Sequence, residues 1–473
     1  MTANNRILHL FWVFFEKFGL VLLSVFSFLI YAKFLSPEQM GIGILLLAAV
    51  EFFAMFVIAL VDNSIIRLNK ITTQQDGCIF WGLLLVSLII SSLIYLGYLL
   101  YFNDNRILLV GFLAVCSLPF QISVRLHIVH MRLKRQFKKL AQRTIFGKIL
   151  GMLAGIYLAV GGYGDFSIVV QTLVMAISSA LMIFVLEPRR LPFDFDKKFI
   201  YEQLLVGVPS SIKAINVTLF MKGLVVLIET TLGTAAVGFY NFASRLVELP
   251  RTALTSALMG YANPVFSKRR NEGKSINTLF IDSTRFSILL IMPFFVGMSV
   301  MSESIIELLF SDKWAPSSLL LQGIAAVTSL NLFFLFLPST LVALGKTKLG
   351  LKGQIFSSAI GLLFTALTVY EYGLIAIIFG LIVRTISSNI VNFYVLKKVL
   401  DITFFEFIKC FTTPITGAIS IVVSIAISRE ILVVHSLLLE TTIEVIIGML
   451  AYLLSVFLMN KKVVKEFKIF LNS

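Results

Sequence analysis

Nine of the charged side chains that fall within otherwise apolar runs stand out: Glu16, Lys17, Glu51, Lys213, Lys222, Arg245, Glu248, Arg251 and Arg384. If those runs cross a bilayer, each charge at mid-depth costs about 2.5–3.5 kcal/mol on insertion scales, so each needs a reason to be there. Lysine and arginine can replace the water and counterions of a phosphate-type anion, arginine with a bidentate fork. A carboxyl in a low-dielectric setting can exchange a proton near neutral pH. Arg245, Glu248 and Arg251 follow an i, i+3, i+6 spacing and can pair along one side of a helix. Lys213 and Lys222 are nine residues apart, roughly 13 Å in rise and about half a turn out of phase, so they cannot both point at one spot. The competing reading is that all these charges snorkel to the interface or lock helices together in ion pairs.

The elements that must carry them are membrane helices. Of 473 residues, 58% are hydrophobic and only 14% charged, against about 25% charged in soluble domains. Mean hydropathy is +0.95. Fourteen runs reach the length of about 20 residues needed to cross the hydrocarbon core. They are 8–34, 39–62, 77–102, 106–131, 141–160, 165–187, 204–230, 235–262, 281–302, 317–343, 349–370, 374–396, 407–429 and 441–460. The first run is too long for a signal peptide and lacks a small-residue cleavage site, so it is expected to remain as a span. With the N-terminus in the cytoplasm, basic residues concentrate in the inside loops, for example Arg132, Lys134, Arg135, Lys138, Lys139 and Arg143. The outside loops then hold only Arg106, Lys313 and Arg429. That alternation predicts an even number of spans with both termini cytoplasmic.

The net charge of +15 is therefore read as topogenic and not as a nucleic-acid footprint. Cys78, Cys116 and Cys410 form no CxxC pair and read as small buried hydrophobes, without a metal or disulfide role. His127 and His130 read as a helix-end pair near the head groups. No Gly-rich phosphate loop, HExxH or DxD-type cluster is present, and no loop is long enough for a catalytic domain. Neither an enzyme with catalytic residues nor ATP-driven transport is expected, and no metal ligand is assigned.

A repeat divides the chain. LSPEQMGIGILLLAAVEFFAMFVIAL (35–60) aligns with LGTAAVGFYNFASRLVELPRTALTSA (232–257) at a shift of 197 residues. Leu35 meets Leu232, Gly41 meets Gly238 and Glu51 meets Glu248. An even number of spans between the copies makes the repeat parallel, about an axis along the membrane normal. The expected fold is an all-α integral membrane protein of about 14 helices. It comprises two six-helix bundles, 1–195 and 196–400, related by a pseudo-twofold axis, with two extra helices and a tail over 401–473.

FLSPEQMGIG (34–43) resembles the first-loop pattern of polysaccharide flippases. VGFYNFASRLVELPRTALTSALMGYANPVFSKRR (237–270) is similar to that family's eighth-helix signature, with its AxRLxELP core and Pro-aromatic-Ser-Lys ending. The chain thus resembles the Wzx-type exporters of the multidrug, oligosaccharidyl-lipid and polysaccharide (MOP) superfamily. The resemblance implies a cavity lined largely by spans 1, 2, 7 and 8, and alternating access without ATP. The implied substrate is a polyprenyl-diphosphate-linked oligosaccharide, a repeat unit for lipopolysaccharide or exopolysaccharide. The implied place is the bacterial plasma (inner) membrane, among membrane lipids, with a polysaccharide polymerase and glycosyltransferases as neighbours in the pathway. No cofactor is expected; coupling to a proton or sodium ion takes its place.

On this reading Lys17, Lys213, Lys222, Arg245 and Arg384 form a cationic surface for the diphosphate, and Glu51 and Glu248 serve ion coupling. Glu248 has Arg245 and Arg251 as partners on its own helix, whereas Glu51 has no cation in its own span, which makes Glu51 the better coupling candidate. Tyr240 and Tyr261 are the aromatics considered for sugar contact. Two other functions stay open: a drug or small-molecule cation antiporter of the same superfamily, and a non-transport subunit or enzyme of surface-glycan assembly.

Overall fold

The computed structural model describes residues 3–67, 72–273, 275–431 and 436–459. The side chains of Lys213 and Tyr261 and the whole tail from 460 lie outside the described residues. Every regular element among the described residues is helical. Among the described residues thirteen helical stretches are long and apolar enough to cross a membrane, so the chain is a multi-pass, α-helical membrane protein. The remaining expected span, 235–262, is helical as well. It lies inside the 38-residue helix Thr234–Asn271, where Arg245, Glu248 and Arg251 dilute its apolar character.

Two compact units divide the chain, Met1–Asn241 and Phe242–Ser473. The first unit begins with α1 (Ala3–Phe34), α2 (Pro37–Arg67), α3 (Thr73–Tyr101) and α4 (Asn105–Ser123). It continues with α5 (Arg125–Leu133), α6 (Phe137–Val160), α7 (Gly164–Leu186) and α8 (Lys197–Leu232), and includes the first two turns of α9 (Thr234–Asn271). Helix α2 is its spine, packing against α4, α7 and α8. Leu46 and Val50 of α2 are fully buried with Leu118 and Ile122 of α4 and Leu126 of α5. In lipid there is no hydrophobic drive between helices, so close backbone approach supplies the association. Gly147, Gly151 and Gly155 form such a stripe on α6. A Cβ on Gly151 would come 2.5 Å from the Gln171 carbonyl oxygen of α7, and one on Gly155 would come 2.8 Å from that of Ser167. Tyr31 of α1 donates to Gln171 Oε1 at 2.5 Å inside the same packing.

The second unit holds the rest of α9 with α10 (Asn277–Val300), α11 (Ser302–Leu309), α12 (Ser317–Asn331), α13 (Leu337–Ala343) and α14 (Leu351–Tyr372). It ends with α15 (Leu374–Leu400), α16 (Phe404–Lys409), α17 (Thr412–Ile431) and α18 (Leu437–Met459). The last two helices dock on α10: Tyr452 of α18 lies over Gly417 of α17 and donates to the Leu289 carbonyl at 2.7 Å. Arg429 and Glu444 join α17 to α18 at 2.6 Å.

Two expected spans are each broken. The stretch 106–131 divides at Val124, five residues after Pro119. The stretch 317–343 divides around a 3-10 turn at Leu332–Phe334, before Pro338 in the first turn of α13. Proline lacks the amide N–H and crowds the preceding turn, which accounts for the break before Pro338; Pro119 stays inside α4, and the break at Val124 lies after it, outside the turn it perturbs. The expected outside loop near 302–317 is folded: it contains α11 and a turn that buries Trp314 against Phe242, ring centroids 4.1 Å apart and 11° from parallel.

Candidate functional site

The seam between α2 and α8 is built by small residues at its ends. At one end Gly207 meets α2, where a Cβ would come 2.5 Å from the Leu60 carbonyl oxygen. At the other end Gly41 of α2 meets the start of α9, where a Cβ would come 1.9 Å from the Thr234 carbonyl oxygen. Between them lies Glu51, fourteen residues after Pro37 and eleven before Asp62, the ends of its apolar span. It is thus near mid-depth at 1.5 Å per residue. Glu51 Oε2 is ion-paired with Lys222 Nζ of α8. The pair is not sealed: Glu51 keeps 46% of its side-chain surface open and Lys222 24%.

Lys222 also lines a cavity of about 450 Å³ between α2, α3 and α8. Ala48, Phe52 and Phe53 supply its apolar wall, and Tyr101 and Glu229 its polar rim. The Tyr101 hydroxyl donates to Glu229 Oε2 at 2.8 Å, and Tyr98 is anchored by donation to the Leu46 carbonyl. One cation and two carboxylates therefore share this face. Lys222 is held by a carboxylate that another anion would have to displace.

The second copy of the repeat is wired differently. Glu248 accepts from Arg251 Nε and Nη2, both at 2.6 Å, and from Thr252 Oγ1 at 2.8 Å. Its partners come from its own helix, where those of Glu51 come from α8. Arg245 is exposed on α9, and Arg384 of α15 is half-buried, its Cβ packed on Gly361 of α14. Lys17 is exposed on α1. The structure brings together Glu51 and Lys222. Lys213 lies on α8, its side chain outside the described residues. Tyr240 is buried in packing; Tyr261 lies outside the described side chains.

Sequence reasoning missed the ionic networks at the basic end of the first unit. Asp76 at the start of α3 lies 2.8 Å from His130 Nε2 of α5 and accepts from Arg189 Nη1 at 2.8 Å. Glu187 accepts from Lys134 at 2.7 Å and Lys139 at 3.4 Å. Burial alone would raise the Glu187 carboxyl, but the two lysines outweigh it and hold it below the ordinary carboxylate range. Asp62 accepts from Arg125 and Arg132. The lysines and arginines read from sequence as topogenic charges are also structural partners. His127 is fully buried with Phe80 and Phe184 packed edge-on around its ring. Among the described residues no group of three or more His, Cys, Asp or Glu is placed to hold a metal.

Comparison with known proteins places these elements. A family model described as polysaccharide biosynthesis protein matches residues 30–319, from the end of α1 into α12. The chain is 24% identical over 314 residues to the succinoglycan biosynthesis transport protein ExoT of Rhizobium meliloti, an alignment that spans 64% of this chain and 62% of ExoT. It is 24% identical to the teichuronic acid biosynthesis protein TuaB of Bacillus subtilis over 78% of each chain. Its fold is similar to that of the lipid II flippase MurJ in an inward closed conformation, with a TM-score of 0.74, 18% identity, and coverage of 97% of this chain and 100% of MurJ.

Proposed function

We propose that this chain, which belongs to the polysaccharide biosynthesis protein family, translocates a polyprenyl-diphosphate-linked oligosaccharide between the leaflets of a bacterial plasma membrane. The observation that carries this reading is the Glu51–Lys222 pair: opposite charges at mid-span, partly open and beside a cavity. An ion pair left partly open to solvent contributes only about 0–1 kcal/mol, too little to explain two charges placed at mid-span. The named relatives support the cargo, since one is a succinoglycan biosynthesis transport protein, one a teichuronic acid biosynthesis protein, and the fold is similar to that of a lipid II flippase. They favour the sugar reading over the drug-antiporter reading.

The residues suggest how transport proceeds. The diphosphate competes with Glu51 for the Lys222 ammonium. Once released, Glu51 takes up a proton or sodium ion, which offsets the cost of leaving a carboxylate unpaired in a low-dielectric region. Loss of the ion on the far side restores the pair and expels the anion. This makes the pair an exchange element for alternating access, with both termini cytoplasmic and the substrate moving outward. Lys213, Arg245, Arg384 and Lys17 are the further cations offered to the diphosphate, with a polymerase and glycosyltransferases as pathway neighbours.

The test is a flipping assay in proteoliposomes with a short-sugar polyprenyl diphosphate, alongside a cationic-dye efflux assay. Flipping above that of empty liposomes is expected. Dye efflux without flipping would move the chain to the antiporter reading, and neither activity would favour a non-transport subunit.

A further inference from the structure

Three arginines, Arg125, Arg132 and Arg143, gather at the basic end of the first unit, apart from the Glu51–Lys222 seam. Asp62 closes the span Pro37–Asp62, Arg132 lies one residue from the end of Asn105–Leu133, and Arg143 lies six residues into Phe137–Val160. Asp62 and Arg132 are thus at the ends of their spans, and Arg143 is about 9 Å along its helix at 1.5 Å per residue. Arg125 holds Asp62 with both Nε, at 3.1 Å, and Nη2, and Arg132 Nη1 adds a third contact at 3.2 Å. The one carboxylate is therefore already committed to two guanidinium groups.

Arg143 is the group this arrangement leaves over. Its Nη2 makes a long contact of 3.4 Å to Thr144 Oγ1, while Nε and Nη1 are buried with no hydrogen-bond partner. The charges acting on it are those of Arg125 and Arg132, which repel it, and Glu16, which attracts it. A snorkelling arginine carries its nitrogens out to head-group water. Here two donors of a permanent cation point into protein, beside two like charges, and a buried charged donor without a partner is strongly unfavourable. Nε and Nη1 leave the guanidinium on different sides, so each is open to a single oxygen of an anion.

We propose that Arg143, flanked by Arg125 and Arg132, forms a seat for the phosphate of a membrane-lipid head group. The seat has two sources available, an anionic phospholipid and the diphosphate of a polyprenyl carrier. Its existence does not rest on the transport reading. Asp62 competes with the ligand for the two flanking arginines and sets its affinity.

The test is native mass spectrometry of the full-length protein from detergent micelles, titrated separately with phosphatidylglycerol, undecaprenyl diphosphate and diacylglycerol. Retention of one phosphate-bearing molecule is expected. Arg143→Gln should weaken it roughly tenfold, the scale of one charge-assisted contact, while Arg143→Lys loses less. Asp62→Asn should tighten binding by freeing Arg125 and Arg132, a gain that a misfolded variant cannot produce. Diacylglycerol should bind no better than to the Arg143→Gln variant. An Arg143 effect on phosphatidylglycerol assigns a resident phospholipid, and an effect on undecaprenyl diphosphate alone assigns the carrier. If neither ligand responds to Arg143→Gln, or if Asp62→Asn fails to tighten binding, the seat does not exist.

Discussion

Gly41 and Gly238 occupy the same position in the two copies of the repeat, and each packs on the other copy. A Cβ on Gly41 would meet the Thr234 carbonyl oxygen at 1.9 Å, and one on Gly238 would meet that of Pro37 at 2.0 Å. Pro37 and Thr234 are themselves related by the 197-residue shift, so the contact maps onto itself when the copies are exchanged. Such a self-complementary contact is what a local twofold relation produces.

The contact is backbone on backbone, so no side chain can rotate to make room. Gly41→Ala and Gly238→Ala are each expected to destabilise by about 1–3 kcal/mol, the usual range for overpacking. Gly97→Ala in α3, where no described atom lies within 4 Å of the added carbon, should be neutral or slightly stabilising. Thermal melting in detergent separates the three. Equal melting temperatures would show that the corner yields freely.

How much of this was legible in the sequence follows from how local each signal is. Spans are local, because a bilayer demands a long apolar run, and the helix positions follow from it. The 197-residue repeat is local twice over. The glycine stripe 147, 151, 155 was visible as small residues every fourth position, and reading it would have predicted the α6–α7 packing. The ionic partners were not legible. Lys222 finds Glu51 across 171 residues, and Arg189 finds Asp76 across 113. Nothing in the neighbourhood of either residue encodes that choice. Glu51 therefore read as a carboxylate without a cation in its own span, which is true, while its cation comes from α8.

Orientation is open to a labelling test. Single cysteines introduced in place of Asp104, Lys138 and Ser311, in a Cys78→Ser/Cys116→Ser background, should divide into two classes. Asp104 and Ser311 should react with an impermeant maleimide in intact cells. Lys138, 5.6 Å over the Trp12 ring, should react only after permeabilisation. Cys410 will not interfere: burial pushes its thiol up to about 11, so it stays protonated and unreactive at neutral pH. Labelling of the Lys138 site in intact cells would reverse the topology.

The Glu187 network predicts a pH dependence. Its carboxyl sits below its ordinary value because Lys134 and Lys139 overcome the effect of burial. A depressed folded-state value means the stabilisation is complete above the unfolded-state value and disappears as pH falls through the folded-state one. Glu187→Gln should therefore melt earlier than the parent protein at pH 7, and the two curves should converge in acid. A gap that persists unchanged below the carboxylate range would show that Glu187 acts through packing and not through charge.

The decisive prediction concerns Glu51 and Lys222, because single variants cannot separate a transport role from a structural one. Lys222→Gln leaves Glu51 without its cation at mid-span, and Glu51→Gln does the reverse. Breaking a charge pair in a low-dielectric site from one side costs about 3–5 kcal/mol, and the partial opening of this pair reduces that. Either variant is thus expected to lose stability together with transport. The double variant Glu51→Gln/Lys222→Gln removes both charges, keeps the shape of residue 51 and shortens residue 222 by one bond. Its melting temperature should return to within a few degrees of the parent. If the pair only joins α2 to α8, flipping should return with stability. If Lys222 is handed from Glu51 to the diphosphate, flipping should stay at background in a protein that is abundant, inserted and stable. Coupling has its own readout: Glu51→Gln should abolish the response of any residual flipping to an imposed pH or sodium gradient. Normal flipping by the double variant, with its gradient response intact, would remove the pair from the transport mechanism.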